Sequence, residues 1–223
     1  MKLQYFLDVP KKGASKTPPL YAGHDIHQLI SRILRVFHDA EQPGTGRKIL
    51  VLDGPAASGK SVLAQRLALS LEAPLVAMDD FFLPFDLRTE ERFSEVGGNI
   101  HYERFLEEII KPATTSQEGF TYRPFDCQTG QYAAPIEVPD SPYLVIEGVY
   151  SLHKRFADYW TTALMLGIDP GLQRERIIRR ETEEGAQNYF DRWLPLEKPY
   201  FQDPALSERI DLRMTSSQKE TGV

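Results

Sequence analysis

Residues 54–61 read Gly54-Pro-Ala-Ala-Ser-Gly59-Lys60-Ser61 and match the pattern G-x-x-x-x-G-K-[ST] at every position. The stretch lies between a short apolar run, Ile49-Leu-Val-Leu52, and a segment whose apolar residues recur at helical spacing up to Leu71. A strand, a glycine-rich turn and a helix form the context in which such a loop binds phosphate. The sequence therefore predicts a P-loop at residues 54–61.

The chemistry of phosphate binding explains the residue types of this loop. Glycines let the backbone curl so that several N–H groups point at an anion, and the N-terminus of the following helix adds positive charge. The Lys60 ammonium is placed to reach the β- and γ-phosphates, and the Ser61 hydroxyl is placed to bind Mg²⁺. The sequence thus predicts a site for a nucleoside triphosphate. Its predicted residues are Gly54, Ala57, Ser58, Gly59, Lys60, Ser61 and Val62.

Beyond the loop, the chain alternates short apolar runs with helical patterns. The runs predict strands at 75–78, 143–146, 163–168 and 210–214, and the patterns predict helices at 102–110, 172–182 and 189–193. We expect the first of these helices to stop before Pro112. Residues 120–122 and 132–136, on either side of Thr129-Gly130, predict a hairpin. Strands that alternate with helices predict a doubly wound parallel sheet with helices on both faces, which is an α/β fold.

The first 46 residues stand apart from this alternating pattern. Prolines and a glycine predict an exposed loop at 10–19, and apolar residues from Ile26 to Phe37 predict an amphipathic helix over about 25–40. The apolar stripe of that helix suits packing on the domain or on a second copy of the chain. We expect an N-terminal extension at 1–46, one domain at 47–215 and a polar tail at 216–223.

Composition and charge argue against several classes of function. The 223 residues carry 32 acidic and 26 basic side chains, and a net charge of −6 argues against nucleic-acid and anionic-membrane partners. A single cysteine, Cys127, excludes an internal disulfide, and with five histidines it argues against a zinc site. No apolar run approaches the roughly 20 residues that a bilayer requires, and residues 1–10 lack the pattern of a signal peptide. We expect a cytoplasmic protein.

Acidic residues follow two of the predicted strands beside the P-loop. Asp79 and Asp80 come after the strand at 75–78, and Glu147 ends the strand at 143–146. Ligands bind at the carboxyl ends of parallel strands, so we expect these carboxylates beside the nucleotide. Asp79 could accept the proton of a substrate hydroxyl that attacks the γ-phosphate. Alone, the two aspartates would suit a helix N-cap or a solvated turn, but the P-loop favours the catalytic interpretation.

Several motifs, taken together, resemble the uridine kinase/phosphoribulokinase branch of the P-loop small-molecule kinases. They are the P-loop, Asp79-Asp80-Phe81-Phe82, Glu147-Gly148 and the arginine-rich helix after Asp169. The stretches 98–105, 122–127, 147–151 and 193–197 look like a bacterial uridine kinase-like group. The resemblance covers about 47–214 and implies a P-loop kinase fold with five parallel strands in the order 2-3-1-4-5. It also implies a substrate-binding excursion at about 84–140 and a lid at about 183–199.

The resemblance also assigns roles to residues and implies an ATP- and Mg²⁺-dependent kinase. The implied catalytic residues are Asp79 as the base and, around the transferred phosphoryl group, Lys60, Arg176 and Arg179. Ser61 and Glu147 would hold Mg²⁺, and Arg192 lies where a further lid arginine could reach the nucleotide. By residue type alone, the arginines after Asp169 also suit a solvated helix face that pairs with neighbouring glutamates.

The substrate side departs from the pattern of nucleoside kinases in this family. Where they carry an Asn-aromatic-Asp step that binds the ribose, this chain reads Asn99-Ile100-His101, and a neutral imidazole cannot hold a diol as a carboxylate does. The base-reading segment is reduced to Pro124-Phe-Asp-Cys-Gln-Thr-Gly130, in which Phe125 could stack on a base or pack inside the hairpin. The candidate substrate residues are Phe82, Arg88, His101, Arg104, Phe125 and Asp126.

Three functions stay open at this point. The order of the motifs supports a kinase for a nucleoside such as uridine or cytidine. His101 and the reduced base-reading segment favour a kinase for another hydroxyl compound, such as nicotinamide riboside, pantothenate or a sugar phosphate. An ATP-binding regulatory protein without turnover is the third, and it is disfavoured because Lys60, Ser61, Asp79 and Glu147 are all present.

Overall fold

The computed structural model describes residues 3–9 and 20–218 of the chain. Its strands are β1 (Leu3–Asp8), β2 (Tyr21–Gly23), β3 (Lys48–Asp53), β4 (Leu75–Ala77), β5 (Phe120–Tyr122), β6 (Phe125–Asp126), β7 (Gln131–Tyr132), β8 (Ile136–Val138), β9 (Tyr143–Glu147), β10 (Thr162–Ile168) and β11 (Leu212–Gln218). Its α-helices are α1 (Ile26–Asp39), α2 (Lys60–Leu71), α3 (Glu90–Ser94), α4 (Tyr102–Phe105), α5 (Lys111–Thr115), α6 (Pro170–Arg180), α7 (Glu183–Asn188), α8 (Leu194–Phe201) and α9 (Pro204–Ser207). The loop predicted at 10–19 and the end of the predicted tail, 219–223, lie outside the described residues.

In the described part of the chain, seven strands form one sheet in the order β2-β1-β11-β10-β3-β9-β4. The run from β4 to β11 is parallel throughout. Numbered along the chain, these five strands lie in the order 2-3-1-4-5, which is the order implied by the resemblance. The predicted α/β fold is confirmed.

Residues of the N-terminal extension add two strands that the sequence did not predict. β1 pairs antiparallel with β11, and β2 pairs antiparallel with β1. The β1–β11 register places Tyr5 opposite Ser216 and Leu7 opposite Met214. β11 therefore runs to Gln218, beyond the predicted strand end at residue 214, and the first residues of the predicted tail belong to the sheet.

Helices cover both faces of the sheet. Side chains along a strand point to opposite faces in turn, so a strand of apolar residues makes both faces apolar. In β3, Ile49 and Val51 belong to one buried cluster, and Leu50 and Leu52 belong to a second cluster that includes the buried stripe of α1. The amphipathic helix predicted at about 25–40 is α1, and its stripe packs on the domain. No helix within the described ranges is long and apolar enough to cross a membrane.

Besides β11, and α6 which is shifted by two residues, three predicted elements differ in extent from the observed ones. The helix from Tyr102 continues past Pro112 as α4, a π turn and α5, because the proline lies in the first turn of α5, where its missing N–H is not needed. The predicted hairpin is longer and consists of two pairs, β5 with β8 and β6 with β7. The helix predicted at 189–193 is a π turn within a longer helical segment, 183–201.

Candidate active site

The carboxyl ends of three neighbouring strands meet at one edge of the sheet. The P-loop follows β3, Asp79 lies in the turn after β4, and Glu147 ends β9. Strand pairing places Leu52 of β3 and Ala77 of β4 on either side of Glu147. The three predicted groups are thus brought to the same edge, although they are far apart in the sequence.

The P-loop needs its glycines for two different reasons. Gly59 is the N-cap of α2 with a φ of 97°, in the left-handed region that favours glycine. At Gly54, a Cβ atom would lie 2.5 Å from the carbonyl oxygen of Leu166 in β10. The loop therefore packs closely against β10, and α2 presents the free N–H groups of its first turn at the loop.

Side chains of α6 and α8 hold the backbone of the P-loop. The Gln173 amide donates a hydrogen bond to the Ala56 carbonyl at 2.9 Å, and Arg176 Nη1 donates to the Ala57 carbonyl at 3.0 Å. From α8, the Glu197 carboxylate accepts a hydrogen bond from the Ala56 N–H at 3.0 Å. Arg176 was predicted to lie at this site, whereas Gln173 and Glu197 were not.

Asp53 is fully buried at the end of β3, directly before the P-loop. Its carboxylate accepts hydrogen bonds from the Gly54 N–H at 2.6 Å, the Leu152 N–H at 2.9 Å and the Tyr200 hydroxyl at 2.6 Å. Burial raises the pKa of Asp53 to about 6, although these three hydrogen bonds act in the opposite direction. Asp53 thus connects β3 to α8. Sequence reasoning missed it, since an aspartate after an apolar run reads simply as the end of a strand.

Glu197 is the second buried acid beside the phosphate loop. It is 8% exposed, and burial raises its pKa to about 7. The hydrogen bond from Ala56 and the positive charge of Lys60 oppose that rise. Near neutral pH, Glu197 is therefore divided between its protonated and its charged form. The stretch 193–197 resembles a bacterial uridine kinase-like group, but nothing in the sequence indicated that the Glu197 carboxylate is buried.

Glu147 and Ser61 are the residues predicted to hold Mg²⁺, and they are in contact. Burial raises the pKa of Glu147, whereas the charge of Lys60 and a hydrogen bond with Ser61 lower it. Glu147 Oε2 is buried and has no hydrogen-bond partner among the described residues. A buried, unpaired carboxylate oxygen beside a hydroxyl suits a hard cation that keeps water and phosphate as its other ligands. The residues present therefore fit Mg²⁺.

The two aspartates after β4 have different environments. Asp80 is half-buried and accepts a hydrogen bond from the Tyr122 hydroxyl at 2.7 Å, and burial raises its pKa. Asp79 is exposed and makes no hydrogen bond to a described residue. Besides burial, the negative charge of Asp79 raises the pKa of Glu147, so the two carboxylates interact electrostatically. Asp79 is thus the aspartate that is free to contact a ligand.

Two of the predicted arginines make their observed contacts with residues outside the P-loop. Arg179 is exposed and forms an ion pair with Glu175 on its own helix. Arg192 is also exposed, and its guanidinium lies 4.9 Å from the centre of the Trp193 ring. The Trp193 ring lies 6.2 Å from the ring of Phe82, so the helical segment 183–201 lies beside the aspartates. Of the three arginines, only Arg176 contacts the loop.

Three of the candidate substrate residues are engaged within the excursion. Arg88 Nε donates to the Leu83 carbonyl at 2.7 Å, and Arg104 forms two hydrogen bonds with Glu108 at 2.7 and 2.8 Å. The carboxylate of Asp126 caps its own turn, because it accepts from the Gln128 N–H and the Thr129 hydroxyl. These two hydrogen bonds lower the pKa of Asp126. None of the three side chains is directed at the P-loop by these contacts.

The other three candidates lie closer to the aspartates or in the hairpin core. Phe125 is 5% exposed and packs edge-on against Phe85 and Tyr132, so its ring belongs to the core of the hairpin. The backbone N–H of His101 donates a hydrogen bond to the carbonyl of Phe81 at 2.7 Å, which holds His101 beside the aspartates. Burial lowers the pKa of His101, although Glu103 opposes the shift. Phe82 is half-buried beside Trp193.

A cavity of about 440 Å³ opens beside the P-loop. All of residues 57–62, which the sequence predicts to bind the nucleotide, line it, and Arg66, Arg176 and Arg180 supply positive charge. Tyr5 and Ile26 of the N-terminal extension also line the cavity, together with Met214 and Ser216 of β11. The extension, for which the sequence indicated no role, therefore contributes to the candidate nucleotide site.

No protein-family model and no curated protein matches this sequence. Solved structures do match its fold. A possible uridine kinase from Bacillus stearothermophilus superimposes with a TM-score of 0.61 at 22% identity, over 84% of this chain and 96% of that one. The chain has the fold of P-loop kinases. A D-glycerate 3-kinase from Cryptococcus neoformans var. grubii matches this P-loop kinase fold with a TM-score of 0.55 at 12% identity, over 77% of this chain and 86% of that one.

Proposed function

We propose that the chain is an ATP- and Mg²⁺-dependent kinase that transfers the γ-phosphoryl group to a hydroxyl of a small molecule. The observation that carries the proposal is the free carboxylate of Asp79 at the sheet edge that also holds Lys60 and Glu147. An ATP-binding regulator needs the phosphate cradle but has no use for an exposed, unpaired carboxylate beside it. The kinase is therefore favoured over the regulatory alternative.

The phosphate side of the reaction uses the P-loop. Its N–H groups and the start of α2 bind the phosphates, and the Lys60 ammonium balances their charge. Arg176, held on the loop, adds a second positive charge beside them. Ser61 and Glu147 would hold Mg²⁺, which when bound neutralises part of the charge on the β- and γ-phosphates.

The acceptor side uses Asp79 as the general base. As the hydroxyl oxygen of the substrate bonds to the γ-phosphorus, its proton passes to the Asp79 carboxylate. The bond from the γ-phosphorus to the bridging oxygen breaks at the same time, so that ADP leaves with the electron pair. Lys60 and Arg176 stabilise the negative charge that spreads over the transferred group. The helical segment 183–201 lies where it can limit the access of water.

Two classes of acceptor are in competition. The order of the motifs, and the fold shared with a possible uridine kinase, support a nucleoside such as uridine or cytidine. The hairpin supports the second class, because Phe125 is buried and Asp126 caps its own turn, so neither of these two side chains is free to read a base. Acceptors of that class are nicotinamide riboside, pantothenate, sugar phosphates and hydroxy acids.

The test is ADP release from Mg·ATP with a panel of these hydroxyl compounds, and Asp79→Asn is the control. Turnover with uridine or cytidine that disappears in the variant would support the nucleoside class. Turnover with another compound, equally dependent on Asp79, would keep the mechanism and change the acceptor. ATP binding without turnover on any acceptor would favour the regulatory alternative.

A further inference from the structure

One wall of the cavity beside the P-loop is built by residues that phosphate binding does not use. Tyr5 of β1, Ile26 of α1, and Met214 and Ser216 of β11 form this wall. Tyr5 and Ser216 are direct partners in the antiparallel register of β1 and β11, so their side chains are neighbours on one face of the sheet. The N-terminal extension therefore supplies two of the four residues of this wall.

Ser216 is the polar residue of this wall that lacks a partner. It is 5% exposed, and its hydroxyl is buried without a hydrogen-bond partner among the described residues. A buried hydroxyl that has lost water and gained no partner is unfavourable, and native proteins rarely leave one in that state. Because Ser216 lines a cavity, rotation about its Cα–Cβ bond would turn the hydroxyl toward a ligand there, and the ligand would supply the missing hydrogen bond.

The two ends of the cavity differ in chemistry. Lys60 of the P-loop and Arg176, which is hydrogen-bonded to the loop, make the P-loop end positive, which suits a triphosphate. Ile26 and Met214 make the wall of the N-terminal extension and β11 largely apolar, and the hydroxyls of Tyr5 and Ser216 are its polar groups. A nucleobase has this character, since it has apolar faces and a polar edge. A volume of about 440 Å³ is within the range of small-molecule sites.

The polar groups of the lining offer no acceptor pair for the Watson–Crick edge of guanine. A protein reads guanine best with an acceptor pair, because the N1–H and the 2-amino group both donate. The described residues that line the cavity include no Asp, Glu, Asn or Gln side chain. A serine hydroxyl can accept from the 6-amino group of adenine or donate to a ring nitrogen.

We propose that the N-terminal extension and β11 form an adenine pocket, in which the Ser216 hydroxyl bonds the edge of the base and Tyr5, Ile26 and Met214 contact its faces. The inference rests on the proposed function, because it takes a nucleoside triphosphate as the occupant of the P-loop. It makes the extension a determinant of nucleotide specificity.

The test is calorimetric binding of ATP, GTP and inorganic tripolyphosphate to the full chain. Tripolyphosphate reports on the P-loop alone, so wild type should bind ATP at least tenfold more tightly than tripolyphosphate, and GTP more weakly than ATP. Ser216→Ala should weaken the binding of ATP about 3- to 10-fold, which corresponds to the loss of one hydrogen bond. The same substitution should leave the binding of tripolyphosphate unchanged. Ser216→Leu, which fills the pocket, should weaken the binding of ATP further. Thr215→Val is the matched control, since Thr215 is the exposed neighbour on the opposite face.

The outcomes separate this inference from the proposed function. If wild type binds neither ATP nor tripolyphosphate, the proposed function fails. If it binds tripolyphosphate as tightly as ATP, or GTP as tightly as ATP, the phosphate site stands and the adenine pocket is overturned. Unchanged ATP binding by Ser216→Ala and a folded Ser216→Leu would also overturn it. The affinities of wild type for ATP, GTP and tripolyphosphate test the adenine pocket even if Ser216→Leu does not fold.

Discussion

The carboxylate of Glu197 in α8 accepts a hydrogen bond of 3.0 Å from the backbone N–H of Ala56 inside the P-loop. One turn later on the same helix, the Tyr200 hydroxyl donates to Asp53 directly before the loop, at 2.6 Å. α8 is therefore attached to the phosphate cradle at two points. A movement of this helix must either break both contacts or carry the loop with it.

Glu197→Gln should reduce the loss of folding stability between pH 5 and pH 8. Burial raises the pKa of Glu197 from 4.5 to about 7, so the folded protein keeps a proton that the unfolded chain releases. The contribution of this proton to the free energy of unfolding is fully present below the pKa of Glu197 in the unfolded chain. It is lost as pH rises through the pKa of Glu197 in the folded protein. We expect roughly 2 kcal/mol less loss in the variant than in wild type, measured by denaturant unfolding.

The comparison with wild type is needed because other groups titrate in the same range. Burial raises the pKa of Asp53 to about 6, so Asp53, like Glu197, lowers the folding stability as pH rises. Burial lowers the pKa of His153 to about 4, so His153 raises the folding stability as pH rises. Glu184→Gln, an exposed glutamate of the same helical segment, is the control and should behave as wild type. Parallel pH profiles for wild type and Glu197→Gln would contradict the prediction.

Asp79→Asn should lower turnover by a factor of about 10² to 10⁴ and leave ATP binding nearly unchanged, because an amide cannot accept the proton of the acceptor. Asp80→Asn is the matched control. Its amide oxygen can still accept the hydrogen bond from Tyr122, so turnover should change only a few-fold. Single-turnover ADP formation measures both variants. A larger loss in Asp80→Asn than in Asp79→Asn would transfer the base role to Asp80.

Arg176→Ala should weaken ATP binding at least tenfold, and Arg179→Ala less than threefold. Arg176 donates hydrogen bonds to the carbonyls of Ala57 and Ser58, so its loss frees the loop and removes a charge from the cavity. Arg179 is paired with Glu175 in solvent, where ion pairs contribute little. Titration calorimetry compares the two variants. Equal losses would show that both arginines clamp the nucleotide, as the resemblance implies.

Glu147→Gln should raise the Mg²⁺ concentration for half-maximal turnover by about tenfold, because a buried anionic ligand becomes a neutral one. Binding of tripolyphosphate without Mg²⁺ should not weaken, since a negative charge is removed from beside the phosphates. Mg²⁺ titrations of the steady-state rate give the first result, with Glu184→Gln as the control. An unchanged Mg²⁺ requirement would remove Glu147 from the metal site.

The parts of the fold that depend on local pattern were predictable. The run at 49–52, the glycine loop and the helical spacing to Leu71 correspond to β3, the P-loop and α2. β1 was not predicted, because its partner is β11 near the opposite end of the described chain, and no local pattern indicates that pairing. The helix through Pro112 depends on the preceding π turn, which also has no sequence signature.

The candidate site was predictable only where a motif specifies it. Residues 57–62, which the P-loop motif predicts to bind the nucleotide, line the cavity, and Asp79 and Glu147 lie at the same edge of the sheet. Asp53 and Glu197 were missed because a carboxylate in a sequence gives no indication of its burial. Their hydrogen bonds to Tyr200 and Ala56 reach across more than a hundred residues, and only the folded chain brings these groups together.

The pairing of β1 with β11 has a consequence for how the protein matures during synthesis. The ribosome releases β1 and the P-loop early, but β1 must wait for β11 before it can enter the sheet. Contacts between such distant segments form late in folding. The residues that hold the P-loop, as far as Tyr200 of α8, all precede β11 in the chain, whereas the wall of Tyr5 and Ser216 needs β11. Recognition of the nucleobase becomes possible only after β11 has been translated and has docked beside β1.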